Sequence, residues 1–257
     1  MSSNEFAGKV AIVTGAANGI GKATAAYFRA QGCNVVATDM AQEALDQLPA
    51  GDDLLTVTAD VTSPEDWQNV IQKTDARYGR LDFLANCAGI AGPLGRTEEI
   101  VLADFERVMA VNVTGTLLGI QAVTSMMRAQ GKGAIVNISS ISGARGNGRL
   151  LPYTTSKHAV NGLSKCAALD LVGDGIRVNV ISPSPVDTAM MKYAESKAAE
   201  RLNVDMEKAH TMLSANLPMG RYSQPEEVAA VIGFLCSDAA GYMTGAIVPM
   251  DGGVLAR

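Results

Sequence analysis

Apolar residues fall along this chain in short unbroken runs, separated by longer stretches in which they recur at helical spacing. Residues 9–14 (KVAIVT) form such a run and stop at Gly15. A strand buried on both faces reads this way, whereas a half-exposed strand alternates. Residues 19–31 follow with Ile20, Ala23, Thr24, Tyr27 and Phe28 at helical spacing, and Gly32 supplies the stop. The strand pattern returns at 34–38, 54–58, 81–85, 134–138, 177–181 and 246–249. Helices are predicted between these runs at 42–48, 64–78, 104–129, 153–171 and 225–236. This alternation predicts an α/β fold, a doubly wound parallel sheet whose right-handed crossovers cover both faces.

No Pro/Ser-rich linker, repeat or low-complexity tract interrupts the order, so residues 1–257 are expected to form a single domain. The one departure is 188–216, which is charged and Met-rich. It reads as one or two amphipathic helices inserted after a strand, and is expected to form a lid over a substrate site. Composition adds exclusions. The 47% of hydrophobic residues against 18% charged suits a large buried core. With 21 Lys+Arg against 26 Asp+Glu, no basic stripe and 5% aromatic residues, nucleic acid is not an expected partner. No uninterrupted apolar run approaches the ~18 residues of a membrane span. Residues 1–9 carry no signal-peptide architecture. Cys33, Cys87, Cys166 and Cys236 are scattered, with neither metal-ligand nor disulfide spacing, so a reducing, cytoplasmic setting without a metal is expected.

Candidate chemistry begins where strand 9–14 runs into Gly15-Ala16-Ala17-Asn18-Gly19-Ile20-Gly21 and a helix. A pyrophosphate must approach backbone N–H groups at a helix N-terminus, and side chains there would block it. Gly15 allows the turn, Gly19 the approach and Gly21 the packing of helix on strand. Asp39 ends the second strand, 18 residues after Gly21. A carboxylate there can accept from both adenosine ribose hydroxyls and would repel a 2′-phosphate. Between Lys22 and Lys73 the only basic residue is Arg29, inside the first helix, so NAD is expected rather than NADP. Asp60 and Val61 follow the third strand, where a carboxylate could meet the adenine amino group; the competing reading is a helix cap, a job Ser63 before Pro64 fits better.

Tyr153 and Lys157 stand four apart, on one face of a predicted helix. A phenol titrates near ~10, and lowering that by ~2–3 takes roughly 3–4 kcal/mol. An ammonium ~4 Å away supplies about that at an effective dielectric of ~20, so Lys157 is expected to acidify Tyr153. Ser140 lies 13 residues upstream of Tyr153 at a strand end, where a parallel sheet lines its ligand crevice. Its hydroxyl could hold a substrate oxygen; Ser139 and Ser142 are rivals on chemistry alone.

Taken in order, Thr14–Gly21 (TGAANGIG), residues 86–89 (NCAG), Asn112 in VNVTG, Ser140, the Tyr153/Lys157 pair and residues 183–188 (PSPVDT) resemble the classical-type short-chain dehydrogenase/reductases. The likeness runs over essentially the whole chain. It implies a Rossmann-type fold and hydride exchange between NAD(H) and a secondary alcohol or ketone. Tyr153 would be the general acid/base. Lys157 would bind the nicotinamide ribose, and Ser140 would polarise the substrate oxygen. Asn112 would hold a water in a proton relay, and Asn86, Ala88 and Gly89 would support the cofactor. Pro183, Val186 and Thr188 would border the nicotinamide. A homotetramer is implied as well, with residues 104–129 and 153–171 at one interface and 225–236 plus the last strand at another. Two positions depart from the family pattern: Cys87 replaces a second asparagine, and Ser184-Pro185 replaces a glycine-led step. Rival readings are a 3-oxoacyl-carrier-protein reductase, against which Asp39 argues, and a dinucleotide-binding regulator without turnover.

Other residues carry blander expectations. His158 is read as a packing or interface residue, Trp67 as helix-to-sheet packing, and His210 as a site contact only by position in 188–216. Met190, Met191, Met206 and Met212 are read equally as pocket or core. Arg96, Arg145 and Arg149 could bind an acidic substrate group or face water.

Overall fold

The computed structural model of the protein describes residues 5–256. Residues 1–4, the start of the segment read above for signal architecture, and residue 257 lie outside them.

Seven parallel strands form one sheet: β1 (Val10–Thr14), β2 (Asn34–Asp39), β3 (Leu54–Thr58), β4 (Phe83–Asn86), β5 (Gly133–Ile138), β6 (Ile176–Pro183) and β7 (Ile247–Met250), in the order β3-β2-β1-β4-β5-β6-β7. The helices are α1 (Gly19–Ala30), α2 (Gln42–Leu45), α3 (Pro64–Tyr78), α4 (Leu102–Met109), α5 (Gly115–Gln130), α6 (Leu151–Leu171), α7 (Ala189–Leu202), α8 (Met206–Ser214) and α9 (Pro225–Cys236). Every residue of β1 and β4 is buried, as unbroken apolar runs require when helices cover both faces. One core layer joins Phe6, Phe28 and Phe83 to α1 and α9. Phe28 stacks on Phe83 at 5.6 Å, and Phe6 meets both edge-on. The opposite layer packs Trp67, Ile120, Val123 and Met127 from α3 and α5. Trp67 is thus the helix-to-sheet anchor expected of it, and its indole N–H donates to Val61 O at 3.0 Å.

The strand order reverses between β1 and β4. In an open parallel sheet the crevice beyond the strand C-termini at such a point is where ligands bind, and both Gly15 and residues 86–89 emerge there.

One predicted helix needs correction. The helix predicted over 104–129 begins at Leu102 and is not uniform, because Ala110–Thr114 forms one wider π turn between α4 and α5. Val111, Val113 and Thr114 are β-branched and crowd an ordinary helix, and the extra residue turns Asn112 into the interior, 1% exposed. Together Leu102–Gln130 is long and apolar enough, on length and composition, to cross a membrane. Its α5 half nevertheless packs beneath the sheet as a core helix does.

Candidate active site

Four chain segments converge beyond the strand ends. The first is the glycine turn. Gly15 has φ +64°, a conformation costly for other residues, and a side chain at Gly21 would stand 2.2 Å from Gly15 O. Asn18 precedes α1 in extended geometry and its side chain makes no cap bond. Asp39 closes the turn from β2: Oδ2 accepts from Ala17 N at 3.2 Å and Oδ1 from Ala41 N at 3.0 Å. Arg29 is committed elsewhere, gripping Asp53 with two 2.8 Å bonds. Asp60 Oδ1 accepts from both the N–H and the hydroxyl of Thr62 at 2.8 Å, so a local turn holds at least one of its oxygens. Ser63, not Asp60, caps α3, accepting from Asp66 N at 3.1 Å.

The second segment is the β4 exit. Thr14 Oγ1 accepts from Cys87 N and Ala88 N, both at 3.0 Å, fastening this loop to β1. Asn86 donates to Asn137 at 2.8 Å, and Asn137 to Ser164 at 2.9 Å, a buried polar chain running from β4 through β5 to α6. Asn112 grips the next residue twice: its Oδ1 accepts from Ile90 N and its Nδ2 donates to Ile90 O, each at 2.9 Å. Nδ2 also donates to Ser156 Oγ at 2.9 Å. With both amide hydrogens spent, the Asn112 side chain has none to donate to a water.

The third segment follows β5. Ser139 donates to Lys157 O at 3.1 Å and is 1% exposed, so it fastens α6 to the sheet. Ser140 Oγ accepts from Ser142 N at 3.1 Å and is the side chain near enough to the Tyr153 hydroxyl to draw its pKa down. Of the three serines, Ser140 is the one brought to the phenol.

α6 itself shows a difference from expectation. Lys157 Nζ lies 5.4 Å from the Tyr153 ring centroid and donates to Ile138 O at 2.8 Å. Burial dominates both groups. It raises the Tyr153 pKa above the ordinary phenol value, against a smaller lowering by the Ser140 hydrogen bond. It pulls Lys157 down to about 8. At Tyr153 the effect of burial outweighs the Ser140 hydrogen bond, so the phenol stands above its ordinary value and Lys157 contributes no lowering.

The fourth segment is the β6 exit. Pro183 ends β6, Val186 is buried and Thr188 caps α7 by accepting from Met191 N at 3.4 Å. The Thr188 methyl would meet a side chain at Gly19 at 3.2 Å, so the start of 188–216 stands directly on the glycine turn. Between residues 89–93, α4 and α7 lies a cavity of about 510 Å³, walled by Asp104, Arg107, Met190 and Tyr193 among others.

A dinucleotide fits these residues. At the turn and at Gly89, backbone lies open where a Cβ would intrude: one on Gly89 would come within 3.2 Å of Asn112 Oδ1 and 3.7 Å of Lys157 Nζ. Comparison with known proteins then decides the family. Residues 15–255 match the family described as Enoyl-(Acyl carrier protein) reductase. A cis-4-hydroxycyclohexanecarboxylate dehydrogenase of Sinomonas cyclohexanicum is 39% identical over 98% of both chains. A 3-oxoacyl-(acyl-carrier-protein) reductase of Thermotoga maritima is 39% identical over 96% of this chain and 98% of its own.

The chain belongs to the short-chain dehydrogenase/reductases.

It is thus an oxidoreductase with a nicotinamide-dinucleotide fold. Solved members of the family superpose closely. NAD+-bound xylitol dehydrogenase has TM-score 0.90 and 34% identity over 97% of this chain and all of its own. An actinorhodin polyketide ketoreductase variant with NADPH has TM-score 0.92 and 33% identity over 96% and 97%. The two departures from the family pattern are accommodated quietly. Cys87 turns toward Thr24 and burial pushes its thiol up to about 12, leaving an inert small hydrophobe. The Ser184-Pro185 step is held by Ser184 N on Met250 O and by Ser223 N on Pro185 O, both at 3.1 Å.

The remaining sequence candidates scatter. His158 is exposed and bonds only to Thr154 O, so it is no packing residue within the chain. His210 pairs with buried Glu195 at 2.7 Å, joining α8 to α7. Arg96 pairs with Glu98 and Arg149 lies 3.8 Å from Glu99. Met190 lines the cavity, Met191 packs beside Tyr222, and Met206 and Met212 are exposed. Sequence reasoning missed Asp104 and Arg107 as cavity walls, since nothing in a uniform helical pattern marks them. It also passed over Thr14, which opens the TGAANGIG run, and Ser156, which lies between Tyr153 and Lys157.

Proposed function

We propose that the protein is an NAD-dependent dehydrogenase/ketone reductase for secondary alcohols, ring alcohols foremost. The observation that carries this reading is the Ser140–Tyr153 hydroxyl pair backed by Lys157 and set beside Gly89 at the reversal of strand order. A bound nicotinamide supplies the hydride acceptor or donor. The chain supplies the proton chemistry and the positioning. Tyr153 takes the proton from an alcohol oxygen or returns it to a ketone oxygen, and Ser140 holds that oxygen by a hydrogen bond. Such proton transfer contributes typically ~10²–10⁴ in rate. Lys157 would hold the ribose hydroxyls facing Gly89. Asn112, its two amide hydrogens spent on Ile90 and Ser156, would reach a relay water through the free lone pair of its carboxamide oxygen or through its main chain. The turn of Gly15, Asn18, Gly19, Ile20 and Gly21 would cradle the pyrophosphate. Val61 would border the adenine, and Val186 and Thr188 the nicotinamide.

Asp39 supports NAD over NADP. A 2′-phosphate would face its carboxylate, and Arg29, the one basic residue between Lys22 and Lys73 in the sequence, is held by Asp53 at the other end of β2 from Asp39. The names of relatives support ring alcohols: cis-4-hydroxycyclohexanecarboxylate and cyclohexanol dehydrogenases, each 38–39% identical. The carrier-protein reductase reading is favoured by one relative's name and disfavoured by Asp39. Helices α7 and α8 are read as the lid over the cavity at Gly89. Exposed Leu117 and Leu169, on α5 and α6, support a tetramer interface. The test is a panel of cyclohexanols, hydroxy acids, diols, sugars and a 3-hydroxyacyl thioester with NAD+ and NADP+. Faster turnover of a ring alcohol with NAD+ is expected; oxidation of the 3-hydroxyacyl thioester alone, and only with NADP+, would overturn the reading.

A further inference from the structure

We propose that Ser156 is a positioning residue for the Tyr153 hydroxyl, joining its helical turn to the loop beside the cofactor crevice through Asn112. This rests on the reading of Tyr153 as the proton-transferring group.

Ser156 is completely buried. Its hydroxyl donates to Tyr153 O at 2.7 Å and accepts from Asn112 Nδ2 at 2.9 Å. Asn112 in turn holds both the N–H and the carbonyl of Ile90, the residue after Gly89. One hydroxyl thus ties together α6, the π turn and the β4 exit. Other hydroxyls in helices also bond back to carbonyls. Thr24, Thr74, Thr155 and Ser164 each reach the residue four before them. Ser156 reaches three back, as Ser196 and Ser214 also do, and the carbonyl it takes is that of the residue bearing the phenol.

Each hydrogen in this junction is spent. The Ser156 proton goes to Tyr153 O, and the two Asn112 amide protons go to Ile90 O and Ser156 Oγ. Removing the hydroxyl leaves an amide hydrogen unpaired in a dry interior, so Asn112 must turn to find a partner. The Tyr153 turn then loses its tether, and the phenol loses register with Ser140, whose hydrogen bond is what opposes the rise of its pKa.

The experiment compares Ser156→Ala, Ser156→Thr and Thr155→Ala by carbon-13 NMR of labelled tyrosine rings at neutral pH. The chain has 6 tyrosines, and the Tyr153 resonance is the one missing in Tyr153→Phe. Thr155 is the control, since its exposed hydroxyl makes the same kind of helix bond one position away without touching Asn112. The expected result is a moved Tyr153 resonance in Ser156→Ala, a native one in Thr155→Ala and a restored one in Ser156→Thr. Alcohol oxidation should fall about tenfold in kcat in Ser156→Ala alone, as for a slightly misplaced reacting group, with NADH affinity unchanged. An unmoved Tyr153 resonance in Ser156→Ala overturns the proposal, as does an equal movement in Thr155→Ala. Should the alanine variant not fold, Ser156→Cys, a weaker donor and acceptor of similar shape, is expected to move the resonance in the same direction, and an unmoved one overturns the proposal. Retained turnover in Tyr153→Phe would instead sink the acid–base reading, a separate outcome.

Discussion

Lys157 Nζ stands 5.4 Å from the centre of the Tyr153 ring and gives a hydrogen bond to Ile138 O, at the end of β5. The pair is close enough to interact, yet burial governs both partners. A dry lysine is costly to keep charged, which is why its pKa falls to about 8.

That cost predicts a stability effect with a definite sign. Folded Lys157 releases its proton from about pH 8, whereas an unfolded lysine holds it to about 10.5. Between these values the unfolded state binds more protons, so this group makes stability rise with pH. At neutral pH the folded state carries a penalty of roughly 2–4 kcal/mol. Lys157→Met removes it and forfeits the Ile138 bond, about 1 kcal/mol. The variant should be inactive yet more stable than the parent by roughly 1–2 kcal/mol at pH 7, an advantage that vanishes near pH 10.5. Urea unfolding at both pH values checks this.

Ser140 is the one group found to hold the Tyr153 pKa down. In Ser140→Ala the phenol should titrate higher still, and kcat should fall about 10²–10³-fold, as when one donor to a reacting oxygen is removed. A pH profile of kcat reads both. An unmoved profile would assign the substrate oxygen to another hydroxyl.

Asp39 holds the glycine turn through Ala17 N and, in the proposed function, would also face the ribose. Asp39→Ala is therefore expected to weaken NADH binding and narrow the preference for NAD+ over NADP+, with NADP+ use rising most at low salt. Ratios of kcat/KM for the two dinucleotides measure this.

Arg177 spans the end of α9, donating to Leu235 O at 2.8 Å and to Met243 O, Cys236 O and Ser237 O at 3.1–3.3 Å. It satisfies carbonyls that a helix C-terminus leaves orphaned, with a charge of the favourable sign. Arg177→Ala should cost about 2–4 kcal/mol of stability, and Arg177→Lys about half of that. Calorimetry distinguishes the three proteins.

The fold was legible because burial on both faces writes itself as continuous apolar runs, and β1 and β4 are such runs. The glycine turn was legible because a Cβ at Gly21 would collide with backbone. What the chain did not announce was local competition. The spacing of Tyr153 and Lys157 says that they share a helix face, but not that Ile138 O accepts a hydrogen bond from the ammonium or that the lysine is buried. Likewise Asn112 reads as one polar residue in a long helix, and only the π turn swings it onto Ile90 and Ser156. The lining of the cavity by Arg107 and Tyr193 depends on how α4 and α7 approach each other, which periodicity does not encode.

Replacement of the single phenol oxygen is the sharpest test. Tyr153→Phe should bind NADH, followed by fluorescence titration, with nearly parental affinity, while oxidation of its best ring alcohol falls by ~10²–10⁴-fold. Turnover within a few-fold of the parent at equal NADH binding would contradict the account.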